Sequence, residues 1–208
     1  MNIDFIILAA GKGTRMGGDS PKVLASLAGK PMIQHLIDTV DSFPNSKTSI
    51  VVGYKSNEVE RNLVSQKKLR FVKQKNQLGT AHAVKQALPN IRKNSVAVIL
   101  YGDVPLVKKN TLNRLIKSAS TGKLSLLTFI KEDPTGYGRI IRGSKKSVQK
   151  ITEHKDASSV EKEIREVNSG ILAIKASLLQ EFISKIKKNN AAKEYYLTDL
   201  VEMSNNHF

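Results

Sequence analysis

Residues 3–16 read IDFIILAAGKGTRM, and this stretch decides the fold. Residues 5–10 form a short apolar run, and residues 3–9 predict a buried strand. The loop that follows contains Gly11 and Gly13, where backbone N–H groups can approach a phosphate because no Cβ stands in the way. It is not a Walker A loop, and it lacks the third glycine of the dinucleotide fingerprint. Arg15 in this loop and Lys22 just beyond it add positive charge.

Short apolar runs alternate with helical patterns along the rest of the chain. Further strands are predicted at residues 49–52, 69–72, 95–101, 124–130 and 167–174, and helices at residues 31–40, 57–64, 80–88, 111–118, 177–187 and 195–203. Residues 137–142 and 147–152 predict a β-hairpin. The alternation predicts an α/β fold with a mainly parallel, Rossmann-like sheet flanked by helices, and the hairpin as a small lobe beside it. Ligands bind outside the carboxyl ends of such strands, which selects the loops after Ala9 and Tyr101.

Composition narrows the class of protein. A chain of 208 residues with 40% apolar residues favours one globular domain. It contains no cysteine, which excludes disulfides and thiolate metal sites and fits a reducing compartment such as the cytoplasm. No apolar run approaches the ~20 residues of a membrane helix, and no basic segment opens a signal peptide. We therefore expect no membrane partner.

The formal net charge of +16 is the unusual feature of the composition. It suits polyanionic ligands, which include nucleic acids, phospholipids, nucleotides and sugar phosphates. The alternative is a lysine-rich surface, since no block of five basic residues occurs. Aromatic residues make up only 5%, and no helix-turn-helix, RRM or zinc pattern is present. We expect no nucleic-acid partner.

Seven segments together indicate a family. The glycine loop is followed by Pro21-Lys22-Val23-Leu24, and six further segments lie at residues 74–83, 100–106, 134–140, 153–157, 168–171 and 194–199. In order and spacing they resemble the sugar nucleotidyltransferases, in particular the N-acetylglucosamine-1-phosphate uridyltransferases, which form one half of bifunctional bacterial enzymes that make UDP-N-acetylglucosamine. The resemblance spans residues 7–202. It implies the nucleotide-diphospho-sugar transferase fold, with the hairpin region as a sugar-binding lobe.

The resemblance implies a reaction. The 1-phosphate of N-acetylglucosamine-1-phosphate attacks the α-phosphorus of UTP, with Mg²⁺ as cofactor, and pyrophosphate leaves; the product feeds cell-envelope polysaccharides such as peptidoglycan and lipopolysaccharide. The nucleophile is already an anion, so the task is to bring anions together rather than to remove a proton. The absence of cysteine and the lack of any paired histidine motif fit that chemistry.

The resemblance also implies roles for individual residues. Arg15 and Lys22 are the expected catalytic residues, and Asp103 is the expected Mg²⁺ ligand. The expected substrate-binding positions are Leu8, Ala9, Ala10, Gly11, Lys22, Gln74, Gly79, Thr80, Tyr101, Gly102, Asp103, Gly138, Glu153, Asn168 and Thr198. Gln74, Gly79 and Thr80 are expected to contact the uracil, and Gly138, Glu153, Asn168 and Thr198 the N-acetylglucosamine. Taken alone, an Asp after a strand is also typical of a turn or a helix cap.

The chain departs from the family at its end. The family's domain continues for about twenty more residues, which include a second metal ligand, an Asn. Asn205 and Asn206 do not stand in that context, and the sequence contains no left-handed β-helix acetyltransferase domain. We expect one shortened nucleotidyltransferase domain over residues 1–208, and a monomer. Three alternatives stay open: a catalytically impaired remnant that binds nucleotide sugars, a related nucleotidyltransferase with another acceptor, and a nucleic-acid binder.

Overall fold

The computed structural model describes residues 1–11, 20–143 and 146–205. In chain order its elements are β1 (Asn2–Ala9), β2 (Ser26–Leu27), β3 (Lys30–Pro31), α1 (Met32–Asp41), β4 (Ser46–Val52), α2 (Ser56–Arg61), β5 (Leu69–Lys73), α3 (Thr80–Ala87), β6 (Ser95–Tyr101), α4 (Lys109–Ser120), β7 (Ser125–Ile130), β8 (Arg139–Arg142), β9 (Val148–Thr152), α5 (Ser159–Lys162), β10 (Glu166–Lys175), α6 (Ala176–Ile183) and α7 (Asp199–Asn205). None of the helices within the described ranges has both the length and the apolar character needed to cross a membrane.

An eight-stranded sheet in the order β5-β4-β1-β6-β10-β8-β9 forms the centre, with β7 paired to β10. Strands β5, β4, β1 and β6 are parallel to one another. Parallel neighbours need a crossover connection, and helices α1, α2 and α3 lie within these connections. The predicted α/β fold with a mainly parallel central sheet is therefore confirmed.

The side chains of β1 alternate between two hydrophobic cores. Ile3, Phe5 and Ile7 face a core that includes α1 and α4, whereas Ile6 and Leu8 face a core that includes α3, α6 and part of α7. Successive side chains of a strand point to opposite faces, so a strand covered by helices on both sides is apolar along most of its length. The exception in β1 is Asp4, which is buried and pairs with Arg92 at 2.8 Å. This is the physical basis of the apolar run that opens the chain.

The predicted hairpin is present as β8 and β9, and the long strand β10 joins it to the parallel sheet. β10 pairs antiparallel with β6 along its last four residues and with β8 near its start. Asn205 at the end of α7 donates through Nδ2 to the carbonyl oxygens of Val148 and Gln149 in β9, at 2.7 Å each. The hairpin is thus held to the rest of the molecule by β10 and by α7.

All six predicted helices are present, with boundaries that differ from the predictions by up to four residues. Pro31 is extended, with φ −54° and ψ 139°, and α1 begins one residue later at Met32. α6 ends at Ile183 rather than near residue 187. The helix predicted from residue 195 begins only at Asp199, because Tyr195 uses its backbone elsewhere: its N–H donates to the Leu78 carbonyl and its carbonyl accepts from the Ala81 N–H, both at 2.9 Å.

Candidate functional site

A cavity of about 490 Å³ opens at the carboxyl ends of β1 and β6. It is lined by Leu8, Ala9, Ala10, Gly11, Lys22, Val23, Gln74, Gln77, Gly79, Thr80, Ala83, Tyr101, Asp103 and Glu194. Ten of these fourteen residues are substrate-binding positions expected from the sequence. Both loops selected by the rule for parallel sheets, the one after Ala9 and the one after Tyr101, meet in this cavity.

The end of β1 supplies backbone rather than side chains. The carbonyl oxygen of Leu8 accepts from the N–H of Gly102 at 2.9 Å, which ties the loop after β1 to the loop after β6. The carbonyl oxygen of Ala10 accepts from Nε2 of Gln77 at 2.7 Å. These bonds hold the start of the glycine loop. Arg15 lies outside the described residues, so the structure says nothing of its expected role.

Lys22 and Asp103 form an ion pair at the cavity. The distance from Lys22 Nζ to Asp103 Oδ2 is 2.6 Å, and the side chains are 40% and 32% exposed. Lys22 begins a short 3₁₀ turn after Pro21, and Asp103 follows the end of β6. An ammonium that can bind an anion and a carboxylate that can bind a cation therefore face the same space.

Within this ion pair, the carboxylate of Asp103 could serve as a ligand for a hard metal ion such as Mg²⁺. Among residues 1–11, 20–143 and 146–205, no group of three or more His, Cys, Asp or Glu side chains could hold a metal ion. Mg²⁺ commonly takes one or two protein carboxylates and completes its shell with substrate phosphates and water. Asp103 fits that mode of binding, and a preformed protein cage is not required.

Gln74, Gly79 and Thr80 lie together in another part of the cavity lining. Gln74 follows β5, is buried, and donates its N–H to the Val52 carbonyl at 2.8 Å. Gly79 has φ +111°, and a Cβ there would stand 2.5 Å from the Tyr195 carbonyl oxygen, so this position needs glycine. Thr80 begins α3, and its Oγ1 accepts from the N–H of Leu197 at 3.0 Å.

Gly138, Glu153, Asn168 and Thr198 do not line this cavity but form a second group beside it. The N–H of Asn168 donates to the Gly138 carbonyl at 2.9 Å. The hydroxyl of Thr198 donates to Oε1 of Glu153 at 3.1 Å. The structure therefore brings together the four residues expected to contact a sugar, although they come from 60 residues of chain. Gly102, also expected, is buried next to the cavity.

Tyr101 connects the two groups. The Asn168 Oδ1 atom accepts from the N–H of Gly170 at 3.0 Å, and Gly170 has φ +84°. A Cβ on Gly170 would stand only 2.6 Å from the Tyr101 ring. The Tyr101 hydroxyl hydrogen-bonds to Thr80, and burial raises the pKa of this phenol. The ring is thus packed between the residues of the first cavity and those of the second group.

Acidic side chains surround the second group. Burial raises the pKa of Glu153, and Asp156 and Glu194 act in the same direction, while the hydrogen bond from Thr198 acts in the opposite one. Burial raises the pKa of Asp199 to about 6, with contributions from Glu202, Glu153 and Asp156. The second group therefore offers hydrogen-bond acceptors, whereas the Lys22 side of the cavity offers a positive charge.

Several lining residues were not assigned a role from the sequence. Gln77 and Glu194 line the cavity, and Gly170 lies against the Tyr101 ring. They stand inside the segments at residues 74–83, 194–199 and 168–171, but no local pattern indicates what they contact. Gln77, for example, reaches a carbonyl 67 positions earlier in the chain. The segments themselves were the signal that could have identified these residues.

Comparison with known proteins gives consistent results. Residues 5–167 match the family described as MobA-like NTP transferase domain. The chain is 46% identical over 202 residues to "Bifunctional protein GlmU" of Cellvibrio japonicus (strain Ueda107), covering 97% of this chain and 44% of that protein. It is 48% identical over 200 residues to the protein of the same name from Ruthia magnifica subsp. Calyptogena magnifica, covering 96% and 44%. The chain thus spans less than half the length of these curated relatives.

Solved structures share the fold. The crystal structure of UDP-glucose pyrophosphorylase complexed with UDP-glucose superposes with a TM-score of 0.80 at 18% identity, covering 100% of this chain and 88% of that one. The apo form of UDP-glucose pyrophosphorylase gives a TM-score of 0.76 at 17% identity, covering 98% and 86%. At these identities the likeness concerns the fold.

Proposed function

The chain belongs to the family of MobA-like NTP transferase domains, and from that premise we propose that it transfers a uridylyl group from UTP to N-acetylglucosamine-1-phosphate. The products are UDP-N-acetylglucosamine, a precursor of cell-envelope polysaccharides, and pyrophosphate. Residues 1–208 act in this proposal as one nucleotidyltransferase domain. The +16 net charge suits it, because every substrate is a phosphate anion. The cysteine-free composition fits a reaction that takes place in the cytoplasm.

One observation carries the proposal: a single cavity joins a glycine-loop backbone, a lysine, a carboxylate and the buried amide of Gln74. The backbone of residues 8–11 and the Lys22 ammonium suit the phosphates of a nucleotide. Gln74, Gly79 and Thr80 suit the edge of a base. The group of Gly138, Glu153, Asn168 and Thr198 lies beyond Tyr101, where the acceptor sugar would bind.

The proposed chemistry needs positioning and charge neutralisation. The attacking phosphate oxygen is an anion before the reaction, so no residue has to act as a general base. Lys22 would leave Asp103 and hold phosphate oxygens. Arg15, on its motif alone, is assigned to the triphosphate and the departing pyrophosphate. Mg²⁺, held by Asp103 and by phosphate oxygens, would neutralise negative charge on the phosphates.

The acidic second group would bind the sugar through its hydroxyl groups. The Glu153 carboxylate already accepts from Thr198 and retains capacity to accept from a sugar O–H. The Asn168 amide nitrogen can donate, since its Oδ1 is the atom bonded to Gly170. The phosphates would lie on the basic side, near Lys22, and the sugar on the acidic side, near Glu153. This division would set the direction in which the acceptor enters.

A substrate panel tests the proposal. The purified chain, with Mg²⁺, is assayed with each of the four common nucleoside triphosphates and with a set of sugar 1-phosphates. We expect UTP with N-acetylglucosamine-1-phosphate to exceed every other pair in kcat/KM by about a hundredfold. Equal or better use of another base or another sugar would contradict the assignment. Nucleotide-sugar binding without turnover of any pair would indicate an impaired remnant instead.

A variant pair tests the sugar side separately. Glu153→Gln removes one charge without changing shape, and we expect the KM for N-acetylglucosamine-1-phosphate to rise by about tenfold while the KM for UTP stays unchanged. Glu163→Gln is the control, because Glu163 is an exposed acid of the same lobe outside the group. A rise in the KM for UTP of the same size would place Glu153 with the nucleotide.

A further inference from the structure

The side-chain amide of Gln74 is held on its nitrogen side. Its Nε2 donates to the Gly79 carbonyl at 3.1 Å and lies 3.0 Å from Nδ1 of His82. A carbonyl oxygen can only accept, so the amide nitrogen, and not the amide oxygen, must face Gly79. The backbone thus decides which way round this amide stands.

The second hydrogen of the same nitrogen goes to His82. Burial lowers the pKa of His82, as do Lys85 and Lys188, while the Asn76 backbone carbonyl acts in the opposite direction. A neutral imidazole has one nitrogen with a free lone pair, and Nδ1 can offer it to Gln74. The other ring nitrogen, Nε2, lies 3.2 Å from Nε2 of Gln86, whose amide also donates to the His82 backbone carbonyl at 3.3 Å.

The imidazole plane is itself held in place. His82 lies on the first half of α3, and its ring stacks on the Tyr195 ring with centroids 6.4 Å apart and planes 25° apart. The ammonium of Lys188 lies over the same Tyr195 ring, 4.7 Å from its centroid. Nδ1 therefore cannot swing away from Gln74 without disturbing this stack.

Both hydrogens of the Gln74 amide are then used, and Oε1 is left. Within the described ranges, no residue donates a hydrogen bond to Oε1. Oε1 is also not one of the fully buried side-chain atoms that lack a hydrogen-bond partner in these ranges. Gln74 lines the cavity, so its free acceptor is available to a ligand there. Uracil presents an N–H at position 3, whereas cytosine presents a lone pair at the same place.

We propose that His82 is a positioning residue that, together with the Gly79 carbonyl, fixes the Gln74 amide so that its oxygen accepts from a uracil N–H and rejects cytosine. This inference rests on the proposed function, because it assigns the base specificity of the same site. Without His82, the amide keeps only the Gly79 bond and loses its second restraint.

Two substitutions distinguish the hydrogen-bond acceptor of the His82 side chain from its aromatic ring. His82→Phe keeps an aromatic ring over Tyr195 but has no acceptor. His82→Asn gives up the ring but keeps an oxygen near the place of Nδ1. We expect His82→Phe to lower the ratio of kcat/KM for UTP to that for CTP by about three- to tenfold, mainly through the KM for UTP. His82→Asn should stay within about twofold of the parent ratio.

Further measurements keep the outcomes distinct. The KM for N-acetylglucosamine-1-phosphate should stay unchanged in both variants, which a general loss of structure would not allow. His82→Leu replaces His82→Phe if the larger ring fails to fold. A parent ratio retained in His82→Phe, or lost equally in His82→Asn, overturns the inference. A parent chain that does not prefer UTP at all overturns the proposed function instead.

Discussion

Lys22 and Asp103 illustrate how the site works at the scale of single residues. Their contact of 2.6 Å is short, but both side chains are about one-third exposed or more. Such a pair contributes only about 0–1 kcal/mol to stability, because water screens it and two side chains must be ordered. The pair is therefore easily opened by a nucleotide phosphate and a cation. Its value lies in binding rather than in folding.

This balance predicts the behaviour of Lys22→Ala. Loss of a charge-assisted contact to phosphate should lower kcat/KM by about ten- to a hundredfold, while the free energy of unfolding changes by less than about 1 kcal/mol. Steady-state kinetics and urea denaturation measure the two quantities. Lys117→Ala is the control, since Lys117 is exposed on α4 away from the cavity. Unchanged kinetics in Lys22→Ala would remove the role proposed for this lysine.

Gly170 is the second residue whose identity matters to the site. In Gly170→Ala the new Cβ would stand 2.6 Å from the Tyr101 ring and the backbone would keep φ +84°. Strain and overpacking together should lower the free energy of unfolding by about 2–4 kcal/mol. Thermal or chemical denaturation measures this loss.

Gly136→Ala provides a matched control for that substitution. Gly136 has φ +81°, and nothing stands within 4 Å of a Cβ there. Its cost should be the backbone strain alone, about 1 kcal/mol. Equal losses in the two variants would mean that the Tyr101 ring moves aside freely, and that it is not a fixed wall between the two groups.

At the scale of elements, the segment before α7 joins the two halves of the site. Tyr195 is bonded through its backbone groups to Leu78 and Ala81, on either side of the start of α3, and Leu197 donates to Thr80. Thr198 then reaches Glu153 in the second group. These bonds run between positions more than 40 residues apart, so helical periodicity in residues 195–203 could not reveal them. The prediction of the helix was right in kind and wrong at its start for this reason.

The raised pKa of Asp199, the first residue of α7, predicts that the stability of the chain depends on pH. Half-buried Asp199 has a pKa raised to about 6 from an ordinary value of 3.8. Between these values the folded chain binds a proton that the unfolded chain has lost, so ionisation of Asp199 reduces stability as the pH rises from about 4 to 6. Asp199→Asn removes that penalty.

We expect Asp199→Asn to be more stable than the parent by about 1 kcal/mol at pH 7.5, a value that allows for screening of a partly exposed charge. At pH 4, close to the ordinary pKa, most of this advantage should be lost. Urea denaturation at the two pH values measures the difference. A variant that is less stable at pH 7.5, or an advantage independent of pH, would contradict the electrostatic origin given to this pKa.

At the scale of the whole molecule, local pattern predicted the strands but not their arrangement. The apolar run of β1 and the alternation of strands and helices are local signals of a parallel sheet, and they were sufficient for the fold class. The pairing of β10 with β6, β7 and β8 depends on contacts distant in sequence. Likewise, the motifs identified most of the cavity lining, whereas the reach of Gln77 to Ala10 and the contact of Gly170 with Tyr101 arise only from tertiary packing.

The central claim is that the chain joins UTP and N-acetylglucosamine-1-phosphate. The most direct measurement is pyrophosphate release by the purified 208-residue chain, with UTP, N-acetylglucosamine-1-phosphate and Mg²⁺ present together and with each omitted in turn. We predict release only when all three are present, in amounts equal to the UDP-N-acetylglucosamine formed. Release that does not need the sugar phosphate, or no release while UDP-N-acetylglucosamine still binds, would contradict the account.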